Sequence, residues 1–293
     1  MDYVFHIVVM IEIFAILAIS FNLAAGYGGL LSLATAAFYG LGAYTSALLT
    51  SRVGIPFLIG IPISMAIGAL ASLAVSLPSA RLHDDYLLMV TFSFQMIVFT
   101  ILNNWIDLTG GPSGIPGIPQ PSILGLSVTS PFSFSLLGAA QALFVYMIVA
   151  RLINRPIGRV LRAIREDELF AQSVGKDTLR VKITIIAVSA ALAASAGSLF
   201  ASYASYIDPT SFTILDSIFI LSIVIIGGSG TLIGPIVGAV ALVVMPEVFR
   251  LVGLPQYIAG DLRQILYGAA LVLLMIFKPQ GLVGQYDYTR PLR

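Results

Sequence analysis

The sequence predicts an all-α, polytopic transmembrane bundle of about eight to ten spans, folded as a single membrane domain over residues 1–293. Three observations lead there. First, the 293 residues are 58% hydrophobic and only 10% charged, with a mean hydropathy of +0.98. An average soluble domain carries roughly 25% charged residues, and a water-soluble globule of this size could not cover its surface with so few. A soluble enzyme is therefore excluded, and so is a disordered chain, which needs low hydrophobicity and high charge. Second, the charges are separated by runs long enough to cross a bilayer. Third, eight of the fifteen Lys and Arg residues fall between Arg151 and Lys182, which fixes one loop to the cytoplasm by the positive-inside rule.

The spans follow from the gaps between charges, since a helix needs about 20 apolar residues to cross the hydrocarbon. Residues 13–51 hold no charge, too long a run for one crossing. Gly26-Tyr27-Gly28-Gly29 divides it into a helix near 5–25 and another near 33–50. The run 53–80 has Pro56 as a first-turn residue and Pro78 as a stop. A span over 86–106 ends in Asn103-Asn104-Trp105 at an interface, and 132–150 runs into the basic loop. Beyond that loop, 183–204 reads as an Ala- and Ser-rich helix. The run 217–246 is interrupted by Gly227-Gly228-Ser229-Gly230 and then Gly234-Pro235, which predicts two helices. A final run, 264–277, spans roughly 21 Å and must recruit 258–263, with Arg263 snorkelling to an interface. The count is nine.

With the basic loop inside, the Pro/Gly-rich segment 107–131 falls outside. Residues 78–86 with Arg81, and the tail with Lys278, Arg290 and Arg293, fall inside. The N-terminus falls outside and lacks the positive flank of a secretory signal, so its apolar run reads as a retained first span. A re-entrant Gly26–Gly29 or Gly227–Gly230 would invert the N-terminal half. Residues 26–31 and 228–233 also echo one another. Duplicated halves with Gly-broken helices are common in transporters, and small residues also simply permit close helix packing.

Residues 156–180 carry the densest information. Ile157, Val160, Leu161 and Ile164 follow the apolar period of an amphipathic helix, Pro156 opens it, and Arg162 with Glu166 makes an i, i+4 pair. A second helical piece over Glu168–Val174 ends at Gly175. A solvated linker is one reading. A docking helix is the sharper one, with its apolar stripe against the membrane core or a partner and its arginines and acids outward.

The chemistry-bearing motifs are few. Zero cysteines removes disulfides, thiol nucleophiles and thiolate metal sites. No Gly-x-x-x-x-Gly-Lys-Ser/Thr phosphate loop occurs, and no Lys follows Gly227–Gly230. His6 and His83 lack metal-ligand spacing, and His83 beside Asp84 and Asp85 reads as a solvated turn. Glu12, near the middle of the first span, is the costliest residue in the membrane. It serves either as a pathway carboxylate or as a hydrogen-bonded group at a helix or subunit contact. Asp216 reads as an N-cap, Glu247 as exposed at an interface. Asn22, Gln95 and Gln141 line a polar path or bridge helices.

At this point the chain resembles the permeases of branched-chain amino-acid ABC importers, the LivM-like branch in particular. The motifs are GYGGLLSLATAAFYGLGAYTSALL (26–49), SARLHDDYLLMVTFSFQMI (79–97), LTGGPSGIPGI (108–118), GRVLRAIREDELFAQSVG (158–175) and SIFILSIVIIGGSGTLIGPIVGA (217–239). The resemblance implies an ABC importer permease fold in a bacterial or archaeal plasma (inner) membrane. A second homologous permease subunit, two ATPase subunits and a periplasmic or lipid-anchored solute-binding protein would be its partners, with membrane lipid around it and no nucleic acid. This chain would bind no cofactor, ATP-Mg sitting on the ATPase subunits.

The same resemblance makes 151–182 the coupling loop, with Gly158, Arg159, Arg162, Ala163, Arg165, Glu166, Ala171 and Gly175 as its working residues. The loop signature has Glu-Ala-Ala, three residues, then Gly. Ala171 and Gly175 are kept, but Leu169 and Phe170 stand where Glu and Ala would. The first motif departs too, with Ser32-Leu33-Ala34-Thr35 for Ser-Leu-Gly-His. Glu12, Gly26, Gly28, Ser32, Thr35, Gly227 and Gly228 become pathway or gate candidates, and Thr109, Gly110 and Gly111 candidate contacts for the binding protein. A self-contained secondary transporter or channel for small polar solutes is the alternative, with Glu12 as its clear intramembrane acid. A membrane enzyme would need clustered His and acids at one face, and the sequence has none.

Overall fold

The computed structural model describes residues 2–79, 84–123, 126–128, 130–251, 268–269, 272, 276 and 280–283. The elements, in order, are α1 (Asp2–Gly28), α2 (Thr35–Leu48, continuing as a π-helical turn Leu49–Val53), α3 (Phe57–Ser79), α4 (Asp84–Asn104), α5 (Ile106–Thr109), β1 (Ile115–Pro116), β2 (Ser122–Ile123) and β3 (Leu126–Ser127). They continue with α6 (Pro131–Asn154), α7 (Pro156–Glu166), α8 (Glu168–Ser173), α9 (Thr178–Ala204), β4 (Tyr206–Ile207), α10 (Ile214–Gly227) and α11 (Gly234–Leu251). Among the described residues six helices are long and apolar enough to cross a membrane, and Gly234–Glu247 forms a shorter apolar one. The fold is a polytopic helical bundle. The ninth expected span, His83, Arg81 and the charges of the tail lie largely or wholly outside the described residues.

The breaks fall where the glycines predict, but several helices outrun their charge-free stretches. α9 begins at Thr178 and takes in Arg180 and Lys182. Asp177 caps it by accepting from the Arg180 amide at 3.1 Å and pairs with the Arg180 side chain at 2.7 Å. A charge that has a local partner does not end a helix. α6 likewise carries Arg151 in its last turn, so the segment between the long helices narrows to 155–177.

α1, α2 and α9 are the most enclosed helices, and small residues bring them together. A Cβ on Gly42 would lie 2.1 Å from the Ala194 carbonyl oxygen, one on Gly197 would lie 2.0 Å from that of Tyr39, and one on Gly68 would meet Ala194 Cβ at 2.7 Å. α2 and α3 thus pack on α9 at backbone contact, where van der Waals packing replaces a hydrophobic drive that lipid does not supply. Phe212 fills the space above, fully buried, with its ring 5.0 Å from Tyr39 and 6.0 Å from both Tyr44 and Phe200.

The two ends of the bundle are distinct. At one end β1 pairs antiparallel with β4, Ile115 opposite Ile207. There Arg52 Nη2 donates to the Asp107 and Leu108 carbonyls at 2.9 and 3.1 Å. At the other end lie the basic loop, the end of α1, the α10–α11 linker and residues 281–283. The positive-inside rule predicts that this second end is the cytoplasmic one, and the helices alternate between the two ends in the order that expectation requires. Tyr3 stands at the outer end. Its hydroxyl donates to Glu247 Oε2, so Glu247 is a half-buried partner of α1 and not the exposed interfacial acid expected.

Gly42→Ala is expected to lower stability by about 1–3 kcal/mol through overpacking, whereas Gly60→Ala, whose Cβ would meet only Ser46 Oγ at 3.5 Å, leaves it nearly unchanged. Thermal unfolding of the purified variants in detergent measures both.

Candidate functional site

The basic loop is built by two chain breaks. Arg155 precedes a proline and is held extended, φ −85° and ψ 168°, and Pro156 then opens α7 at its first position. Asp167 is extended as well, φ −157° and ψ 107°, ending α7 and capping α8 by accepting from the Phe170 amide at 3.0 Å. α8 closes with Gly175 at φ 77°, Lys176 N donating to Ala171 O at 3.2 Å and Gly175 N to Gln172 O at 2.9 Å. These two bonds are those of a Schellman cap.

α7 turns its apolar stripe onto the chain's own helices. Gly158, Leu161 and Ile164 are buried, Ile157 and Val160 half-buried, Arg159 and Arg162 exposed. Gly158 must be glycine because a Cβ would lie 2.1 Å from the Ile153 carbonyl oxygen, and a Cβ on Gly28 would meet Leu161 Cδ1 at 2.8 Å. Arg162 Nη2 reaches back to the Ile153 carbonyl at 3.4 Å. Arg165, half-buried, donates from Nη1 to the carbonyl of Gly26. A cation therefore caps the carbonyl end of α1, where the helix dipole favours it. Ala163 is half-buried, while Glu166 and Gly175 face solvent.

α8 is the reverse case. Only Ala171 is buried, and Leu169, Phe170 and Val174 are 76%, 64% and 60% exposed. The apolar surface free to meet a partner is thus on α8; α7's stripe is used internally. α8 is tied to α9 by Lys182, 4% exposed, whose Nζ lies 2.5 Å from Glu168 Oε2. Gln172 Nε2 also donates to Thr178 Oγ1 at 3.1 Å. The loop is consequently fastened to α1 through α7 and to α9 through α8. Nothing in the sequence marked Lys182 as more than one topogenic charge; its fourteen-residue separation from Glu168 matches no helical spacing.

The pathway or gate candidates divide into three places. Gly26, Gly28, Gly227 and Gly228 gather at the end that carries the basic loop. A Cβ on Gly26 would lie 2.7 Å from Gly230 N, and one on Gly227 would lie 2.0 Å from the Gly234 carbonyl oxygen, so the two echoing segments touch. Ser32 and Thr35 stand at the turn into α2, where Ser32 Oγ accepts from Ala34 N at 3.2 Å and Leu33 N donates to Thr91 Oγ1 at 3.1 Å. Glu12 is elsewhere, at the α1–α6 contact. A Cβ on Gly138 would sit 2.1 Å from Glu12 Oε2, which has no hydrogen-bond partner among the described residues. Glu12 is not brought together with the glycines.

The three amides bridge helices. Gln95 Nε2 donates to Phe212 O at 2.9 Å, Gln141 Nε2 to Ser195 O at 2.7 Å, and Asn22 Nδ2 to Thr231 O at 2.8 Å. Asp216 is the third helical residue of α10 and not its N-cap. Thr213 caps, and the Asp216 carboxylate accepts from both Thr213 N and Thr213 Oγ1 at 2.8 Å.

Outside, Thr109 is buried and donates to the Leu102 and Trp105 carbonyls, both at 2.7 Å. Gly111 is also buried, and Gly110, at φ 77°, has the Gly114 carbonyl oxygen 2.1 Å from where its Cβ would be. These residues shape the loop from within. Among its described residues Pro112, Ser113, Pro116, Gly117, Pro119 and Gln120 are exposed.

A family model described as branched-chain amino acid transport system, permease component, matches residues 3–275. The chain belongs to this permease family. It is 35% identical over 308 residues to the high-affinity branched-chain amino acid transport system permease protein LivM of Salmonella typhimurium, covering 97% of this chain and 70% of that one. To the probable branched-chain amino acid transport permease protein LivM of Methanocaldococcus jannaschii it is 30% identical, covering 82% and 72%. The permease protein LivH of Escherichia coli is 22% identical, covering 93% and 91%. No solved structure matches the chain. As a LivM-like permease the chain is a multi-pass membrane transport protein.

Glu168→Gln strands a buried ammonium, so it is expected to cost on the order of 1–3 kcal/mol, the partial exposure of Glu168 reducing the full buried-pair value. Lys182→Met removes the buried ion itself and costs less, and the double variant recovers most of the loss. Thermal unfolding of the three variants tests the order.

Proposed function

We propose that the chain is the permease subunit of an ATP-driven importer for branched-chain or related amino acids in a bacterial or archaeal plasma membrane. It forms the solute pathway with a second, homologous permease; that LivM and LivH proteins both appear among its relatives supports the pairing. Two ATPase subunits dock beneath it, and a solute-binding protein delivers from outside. ATP is hydrolysed on the ATPase subunits and not on this chain.

The observation that carries the reading is α8. Leu169, Phe170 and Val174 form an apolar surface that this chain leaves uncovered, at the cytoplasmic end, on a loop fastened to two membrane helices. Apolar groups at that exposure favour a protein partner, and exposed Arg159 and Arg162 on the adjoining α7 add positive charge at its border. ATP-driven closure of the ATPase subunits moves α8 and α7 together. Lys182–Glu168 passes the movement to α9 and Arg165–Gly26 passes it to α1, alternating the pathway between outward- and inward-facing states. Solute choice comes largely from the binding protein.

In the reconstituted complex, Leu169→Asp with Phe170→Asp is expected to reduce uptake about tenfold or more, as loss of a buried contact does, with membrane insertion of the permease intact. Charge reversal at Arg159 and Arg162 uncouples hydrolysis from uptake. Unchanged uptake in both variants, or solute flux from the chain alone in vesicles without nucleotide, overturns the reading.

A further inference from the structure

Asn22 lies in an apolar helix, 1% exposed, one turn before Gly26. Its amide is used on both sides. Nδ2 donates to Thr231 O at 2.8 Å and Oδ1 accepts from Gly230 N at 2.9 Å, so one side chain grips the backbone of the α10–α11 linker as a neighbouring strand would. Room for that grip is made by glycine, since a Cβ on Gly26 would fall 1.8 Å from Asn22 Oδ1. The linker is itself a stiff turn. Gly228 and Gly230 stand at φ 116° and 75°, Thr231 Oγ1 donates to Gly228 O at 3.0 Å, and Gly234 N donates to Thr231 Oγ1 at 3.0 Å. On the same turn of α1, the Gly26 carbonyl takes the Arg165 guanidinium.

We propose that Asn22 is a positioning residue that yokes the α10–α11 linker to the end of α1, so that α7, the end of α1 and residues 228–233 move as one body. The proposal rests on the reading of α7 and α8 as the ATPase-driven loop, and it adds which helices receive the motion. The junction runs from Arg165 to the Gly26 carbonyl, through the close approach of Gly26 to Gly230, and from Asn22 to Gly230 and Thr231. Severing the last link loosens α10 and α11 from the driven end of α1. ATP is then consumed without full opening of the path.

The test uses the complete complex in lipid, with binding protein and both ATPase subunits. Asn22→Leu keeps the volume and removes both bonds; Asn22→Asp keeps the acceptor for Gly230 N and loses the donor to Thr231 O. The ATP hydrolysed per solute imported is expected to rise about tenfold in Asn22→Leu, the size of a typical coupling loss, and to a smaller extent in Asn22→Asp. The KM for solute and the ATPase rate without binding protein stay as in the native complex. A second readout is geometric. The native chain contains no cysteine, so spin labels at Arg155→Cys and Ile233→Cys, both exposed, report one distance. That distance is expected to stay constant with and without nucleotide in the native background and to become nucleotide-dependent in Asn22→Leu. If Asn22→Leu does not accumulate, Asn22→Asp carries both readouts with the same criteria. A native complex that couples, with variants of unchanged ATP-to-solute ratio and unchanged label distance, overturns the yoke and leaves the importer reading standing. A native complex whose ATPase ignores the binding protein overturns that reading, and the yoke with it.

Discussion

Backbone groups inside hydrocarbon have no water to turn to, and this constraint governs the rest of the molecule. An unbroken helix meets it automatically. Among the described residues the glycine breaks after α1 and after α10 free amides and carbonyls that side chains or distant backbone must then satisfy. Thr91, Ser32 and Ser217 accept from Leu33, Ala34 and Ala36 at the entry to α2. Asn22 answers Gly230 and Thr231 at the second break. Some of the buried polar residues serve these breaks, while others, such as Ser72, Ser195 and Ser222, donate to carbonyls three or four residues back in their own helices.

The same constraint explains why the basic loop is more than a solvated strap. α1 ends at the cytoplasmic face with its carbonyls pointing at α7, and a guanidinium is the group that a helix C-terminus favours. Leu161 in turn needs the missing side chain of Gly28 to approach. Charge and shape thus cooperate to seat α7, while α8, tethered by a buried lysine, is left with its apolar residues toward the cytosol. One loop has an inward-facing half and an outward-facing half, and the division falls at the extended Asp167.

Much of this was legible from residues alone. The breaks at Gly26–Gly29 and Gly227–Gly230 and the two-piece loop opened by Pro156 and closed by Gly175 follow from local rules with short range. Helix ends were read short because a charge looks like a boundary until its partner is known, as with Arg180 and Asp177. The roles within the candidate site were less legible, because they depend on pairs far apart in sequence. Arg165 with Gly26 and Lys182 with Glu168 carry no mark in spacing. Residues that look like surface can be internal spacers, as with Thr109 and Gly111, since a Gly-rich loop uses its glycines for close backbone approach before it uses them for anything else. The apolar period of α7 correctly signalled a packed face, but period alone does not say against what.

The carbonyl end of α10 has a consequence for biogenesis. Ile226 O and Gly227 O accept from the amides of Leu282 and Val283 at 2.8 and 3.0 Å, and Gly281, at φ 76°, lies against Gly228 so closely that its Cβ would be 2.7 Å away. Those donors are synthesised more than fifty residues after α10 itself. Until translation has passed Val283 those two carbonyls lack these partners. The end of α10 is thus secured by a segment made after the helix that it closes.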